Sequence, residues 1–133
     1  MIHQYSFGTT LQVSYEEAIA RVKDALKAEG FGVLTEIDVR QTLREKLGVE
    51  MDAYLILGAC NPALAHRALE QEPEVGLLLP CNVVIRAASG GCRVEIADPE
   101  AMLGIVGSKQ LDAIAEEAKQ HLQRVVDSLK RLE

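Results

Sequence analysis

A chain of 133 residues with 48% hydrophobic and 26% charged residues has the length of one domain and the make-up of a folded globular protein rather than a disordered one. A formal charge of −6 and an aromatic content of 4%, with no Trp, argue against a phosphate-gripping surface and against stacking platforms for single strands, so no nucleic-acid partner is expected. No apolar run nears the ~20 residues of a membrane span, and Met1-Ile2-His3-Gln4-Tyr5-Ser6 lacks the basic and apolar regions of a secretory signal; a cytoplasmic protein with no membrane partner and three free thiols is expected.

Residues 2 to 13 read as a first strand. Ser14, with Glu17 three residues on, forms a capping box for a helix that carries Ile19, Val22 and Leu26, backed by Ala18 and Ala25, and Gly30 ends it. From Phe31 the period drops to two, which predicts a strand with Phe31, Val33, Thr35, Ile37 and Val39 on one face and Gly32, Leu34, Glu36 and Asp38 on the other, mostly polar one. Asp38 can cap a short helix bearing Leu43 and Leu47, which Gly48 stops; its basic residues Arg40, Arg44 and Lys46 read as a solvated face.

The apolar run Tyr54 to Cys60 has the length of a central strand. Asn61 as cap and Pro62 at the first helical position open a helix to about Leu69 or Glu70. Leu77 to Arg86 and Cys92 to Ala97, joined through Ala87-Ala88-Ser89-Gly90-Gly91, predict a hairpin in which Pro80 marks an edge, a bulge or a strand start. Asp98-Pro99 caps a helical turn through Leu103, Gly104 to Gly107 is a loop, and Ser108 starts a long helix striped by Leu111, Ile114, Ala115, Ala118, Leu122, Val125, Val126 and Leu129. Helices sharing one side of a largely antiparallel sheet make an α+β two-layer sandwich, a single domain over residues 1–133.

The segments Gly30-Phe31-Gly32-Val33-Leu34-Thr35-Glu36-Ile37-Asp38-Val39, Leu57-Gly58-Ala59-Cys60-Asn61-Pro62, Gly76-Leu77-Leu78-Leu79-Pro80-Cys81-Asn82-Val83-Val84 and Asp98-Pro99 resemble the family catalogued as domain of unknown function 302. The resemblance spans nearly the whole chain. It implies a TATA-binding-protein-like fold of strand, helix, four strands and helix, and a homodimer, and it carries no established activity.

Chemistry concentrates at Cys60-Asn61-Pro62 and Pro80-Cys81-Asn82. A thiol beside the free amide groups of a helix start can be held as thiolate, and the same amides attract anions. If the two strand ends lie side by side, Cys60 and Cys81 face one pocket, with Asn61 and Asn82 as hydrogen-bond donors. The plain alternative is that both cysteines are small packing residues and Asn61 an ordinary cap. Two thiols fall short of a structural zinc site, and neither His3, His66 nor His121 has a partner at ligand spacing, so no metal is expected within one chain. Cys92 reads as packing in the hairpin, and Asp98 and Glu100 as a cap and a first-turn residue. Glycine-rich nucleotide loops, zinc-protease and serine-hydrolase motifs are missing, which leaves the cofactor unknown and any catalytic residue unassigned. The expected function is a small binding module that holds an apolar or anionic ligand near Cys60, Asn61, Cys81 and Asn82. The alternatives are a thiol enzyme or redox sensor using Cys60 with Cys81 as resolving partner, and an interaction subunit that works through its surface.

Overall fold

The structure is a computed structural model and describes residues 5–132; residues 2 to 4 of the expected opening strand lie outside them. Strand β1 (Ser6–Leu11) leads to helix α1 (Tyr15–Ala28), β2 (Gly32–Asp38), the short α2 (Val39–Leu47), β3 (Tyr54–Cys60) and α3 (Pro62–Gln71). A 3-10 turn (Pro73–Leu78) precedes the hairpin β4 (Cys81–Ala88) and β5 (Gly91–Ala97), and α4 (Pro99–Leu103) precedes the long α5 (Lys109–Arg131). The five strands form one sheet in the order β1-β5-β4-β3-β2, antiparallel at every pairing. With the short helices set aside, the plan is strand, helix, four strands, helix, the α+β architecture that the resemblance implies. Among the described residues no helix is long and apolar enough to cross a membrane.

The caps follow the chemistry of the chain. Ser14, Asp38, Asn61, Asp98 and Ser108 each accept a backbone N–H of the first turn that they open. Beyond α1, the Gly30 backbone has φ +82°, a conformation that L side chains rarely adopt, so the chain can reverse there into β2.

Two hydrophobic clusters result. The larger lies between the sheet and the two long helices, with Leu11, Leu57, Val83, Ile85, Val94 and Ile96 below and Val22, Leu26, Leu122 and Leu129 above. The smaller joins Leu64 and Ala68 of α3, Val75, Leu103 of α4, and Leu111, Ile114, Ala115 and Ala118 from the first half of α5. All eight residues of the predicted α5 stripe are buried, and the stripe divides between the clusters. Helix α5 is therefore the beam that connects them.

Two sequence expectations are corrected. The register of β2 on β3 slips between Val33 and Thr35, so Leu34 is an extra residue in a bulge. Val33 still opposes buried Ala59, but beyond the bulge it is Glu36 that opposes buried Leu57 while Ile37 opposes Ile56. The expected grouping of Phe31 and Val33 with Thr35 and Ile37 breaks at that point. Glu36 accordingly reaches Lys23 of α1 at 2.9 Å, and Ile37 is 49% exposed on the other face. The second correction concerns Leu77 to Leu79. Hemmed between Pro73 and Pro80, this stretch ends a 3-10 turn instead of starting a strand, and Leu78 and Leu79 pack on the smaller cluster.

Helix α1 is tied to α5 through Glu29, its C-terminal capping residue, where a carboxylate meets the negative end of the helix dipole. His121 Nδ1 lies 2.9 Å from Glu29 Oε1, and Arg124 Nε donates to the same oxygen at 3.0 Å. The His121 contact first, and Arg124 second, hold the Glu29 carboxyl below its ordinary value of 4.5. A carboxyl with a lowered folded-state pKa adds stability above its unfolded value, and that stability disappears as the pH falls through the folded value. In urea titrations run from pH 6 to pH 3, Glu29→Gln should therefore start less stable than the parent and converge on it below about pH 4.5. Parallel curves would show that Glu29 carries no such linkage.

Candidate functional site

Between the two clusters lies a cleft of about 230 Å³. Its floor is the end of the sheet, with Phe31, Ala59, Cys60, Cys81 and Ala97; its walls are α3, the Leu77–Pro80 segment, α4 and α5. The sequence builds this space through small and short-range choices. Ala65 and Ala68 keep the inner face of α3 low, Ala118 does the same for α5, and the 3-10 turn holds Leu77, Leu78 and Leu79 over the opening. Among the described residues no Asp, Glu, Lys, Arg or His lines the cleft.

The structure brings together the residues that the sequence singles out. Ala59 is paired with Cys81, so Cys81 at the start of β4 shares the face of buried Ala59, while Cys60 at the end of β3 is one step off register and alternates to the other face; both are half-buried. Cys60, Asn61, Cys81 and Asn82 all border the cleft. Pro80 stands just before β4, at the strand start that its missing N–H allows.

The electrostatics differ from the expectation of a thiolate. Burial raises the Cys60 thiol above its usual range, and burial followed by the neighbouring Cys60 raises Cys81 to about 11. The reason is visible at the start of α3. Pro62 has no N–H to offer, and the Leu64 N–H is already taken by Asn61 Oδ1 at 3.2 Å, while the Ala65 N–H bonds the Asn61 carbonyl oxygen. The amides that would stabilise a thiolate or an anion are largely consumed. Asn61 is thus a capping residue whose amide nitrogen faces Gly30, not a donor poised for a ligand. Asn82 opposes Gly58 on the strand face that alternates away from Cys81, and it is exposed.

Other candidates separate from the cleft. Cys92 is 2% exposed in the larger core, its Sγ 3.7 Å from the Val13 carbonyl oxygen. His66 is on the surface beside Glu70, and His3 lies outside the described residues. Asp98 caps α4 and, with Glu100, holds Lys119 at 2.9 and 3.2 Å. Among the described residues no cluster of three or more His, Cys, Asp or Glu comes together. Sequence reasoning missed most of the rest of the cleft, Phe31, Leu64, Ala65, Met102, Leu103 and Ile114 among it. They are ordinary apolar residues from four segments, and nothing in their local pattern distinguishes lining from core.

The comparisons with known proteins agree with this architecture and add no activity. No curated protein matches the chain. The crystal structure of an uncharacterized conserved DUF302 protein from Bacillus stearothermophilus superposes with a TM-score of 0.88 at 30% sequence identity, covering 96% of this chain and 99% of that one. The model of the family described as domain of unknown function DUF302 matches residues 7–129. The chain belongs to that family.

Proposed function

We propose that the protein is a small cytoplasmic binding module whose cleft takes an uncharged, apolar ligand. The observation that carries this reading is the cleft itself, about 230 Å³ of space lined mostly by apolar side chains and thiols, with Asn61 and Asn82 at its border and no charged residue among the described ones. An ionised ligand would lose its hydration there with few partners to replace it, since Pro62 has no N–H and the Leu64 and Ala65 amides are spent on Asn61. Of the two ligand classes that the sequence suggests, the apolar one is supported. A cavity of ~150 Å³ accommodates benzene, so this cleft suits a ligand of roughly nine non-hydrogen atoms. At about 0.5 kcal/mol per atom such a ligand binds with a Kd of roughly 0.1 to 1 mM before any specific contact is added.

Leu77, 84% exposed at the rim, is the residue that a bound molecule would shield from water. The homodimer implied by the resemblance is supported by a different surface. Ile37, Ile56 and Val84 stand in register across the open face of the sheet, away from the helices. The thiol-enzyme reading draws less support, because both cleft thiols are held in their protonated form.

The test uses 4-fluorotoluene, with eight non-hydrogen atoms and a fluorine signal. We expect saturable 19F line broadening with a Kd of about 1 mM and a loss of at least tenfold in affinity for Ala65→Phe, whose ring fills the cleft from a half-buried position on α3. No saturable binding by the parent protein, or equal binding by a folded Ala65→Phe variant, overturns the reading.

A further inference from the structure

Helix α1 ends in a rigid cap. The Phe31 N–H bonds the Leu26 carbonyl oxygen at 2.9 Å and the Gly30 N–H bonds that of Lys27 at 3.1 Å, the paired closing bonds that the left-handed Gly30 permits. Glu29 and Phe31 flank that glycine, so the cap holds their side chains in a fixed relation, and both meet the same imidazole. His121 Nδ1 of α5 lies 2.9 Å from Glu29 Oε1, and the Phe31 and His121 rings pack edge to face with centroids 6.5 Å apart. Phe31 also lines the cleft, as does Ala118, one turn before His121 on α5. The imidazole therefore stands directly behind the Phe31 floor. Its Nδ1 has more partners than it can serve, because Arg124 Nη2 lies 2.8 Å away while Arg124 Nε donates to Glu29 Oε1 at 3.0 Å. One in-plane position on that nitrogen holds either a lone pair, which accepts from Arg124, or a proton, which goes to Glu29. The contact has two discrete arrangements, and protonation of the ring selects between them.

We propose that His121, Glu29 and Arg124 form a proton-operated switch on the cleft: the uncharged ring accepts from Arg124 and favours an apolar ligand, and the protonated ring donates to Glu29 and weakens that ligand's binding. The proton comes from solvent, and Arg124 Nη2, deprived of its acceptor, turns to water from a side chain that is half exposed. The charged groups around the ring are Glu29 from α1, Arg124 and, one turn back, Glu117 from α5, the last engaged by Arg67 of α3 at 3.0 Å. Glu29 stays ionised while the ring titrates, since its contacts hold its carboxyl below the ordinary value. The sign of the effect follows from desolvation. A molecule seated against Phe31 and Ala118 lowers the dielectric around a ring that is already mostly shielded, and this penalises the charged form. By linkage the same penalty appears as weaker binding once the ring carries a proton. The proposal rests on the apolar-ligand reading of the cleft and adds its regulation.

The test is a series of 19F titrations of the full chain with 4-fluorotoluene from pH 8 to pH 5, with long-range 1H–15N spectra reading the protonation of the His121 ring in the same samples. Affinity should fall about fivefold as the ring gains its proton, and saturating 4-fluorotoluene should make His121 harder to protonate by the same factor. The second measurement needs no variant. His121→Gln should bind equally at both ends of the range, whereas His66→Gln, altered at a surface histidine beside Glu70, should keep the parent's pH dependence. Constant affinity through the His121 titration, or a pH dependence that persists in folded His121→Gln, would overturn the switch and leave the apolar-ligand reading in place. Absence of binding at every pH would sink that reading instead. In that event the Phe31 ring signals decide the switch: they should move with the His121 titration, and signals that stay fixed through it would overturn the switch as well.

Discussion

Gly58→Val is expected to destabilise the protein by about 2–3 kcal/mol, although valine suits a strand far better than glycine does. A Cβ at position 58 would sit 2.2 Å from Thr35 Oγ1 and 2.8 Å from Pro80 Cγ, closer than real Cβ atoms come to anything. The hydroxyl is the tip of a short side chain on the edge strand and can rotate away, but Pro80 is ring-locked next to Cys81 at the floor of the cleft. Relief must come from moving the start of β4. The variant should therefore lose affinity for 4-fluorotoluene as well as stability, while Thr35→Ala added to it should recover only part of the stability and little of the binding. Urea unfolding followed by circular dichroism, with the 19F titration beside it, makes the comparison. If the ordinary strand preference won and Gly58→Val were neutral or stabilising, the close packing of Thr35, Gly58 and Pro80 would not be what holds the cleft floor in place.

Position 58 also shows why one part of the fold was legible in the sequence and another was not. Helix limits were readable because caps act locally: Ser14, Asp38, Asn61 and Ser108 each satisfy an amide three residues away, and the chain spells that out. The α5 stripe was readable because burial along a helix follows its 3.6-residue period. The bulge at Leu34 has no such local code. It arises where β2 must pass Gly58 and still deliver Glu36 to Lys23, and that requirement comes from β3 and α1, not from the Phe31 to Val39 pattern. The Leu77–Leu79 run misleads for the same kind of reason. Its apolar continuity with Val83 to Ile85 is overruled by two flanking prolines and by a second hydrophobic cluster for these leucines to join.

The candidate site was half legible. Cys60 and Cys81 stand out as unusual residues at element boundaries, and the antiparallel pairing of β3 with β4 brings their strand ends together with the side chains on alternate faces. Their chemistry is less legible, because the charge of a helix start acts only through the amides that its own cap leaves free. One proline and one self-capping asparagine settle that question, and both are in the sequence. The cleft could not be read at all. A void is set by what neighbouring elements fail to fill, and Ala65, Ala68 and Ala118 look like any small helical residues until α3 and α5 are packed together.

Because α5 runs unbroken through both clusters, damage to one should be felt in the other, and Leu122→Ala tests this at the deepest point. Leu122 is fully buried against the sheet side of the core. Removing its isobutyl group should cost about 3–5 kcal/mol from lost transfer energy and the cavity left behind, a large share of the 5–15 kcal/mol that holds a domain of this size. The cleft lies toward the other end of the helix, so the folded variant should keep the parent's affinity for 4-fluorotoluene in the absence of denaturant. In urea the two regions should still fail together. Hydrogen exchange of the α3 amides, which pack only on the smaller cluster and the cleft, should accelerate in step with those of β4 and β5, because a 23-residue helix cannot release its second half and keep its first half docked at full strength. Faster exchange in the sheet with unchanged protection in α3 would instead make the smaller cluster a separate cooperative unit, and the cleft a seam between two parts that open independently.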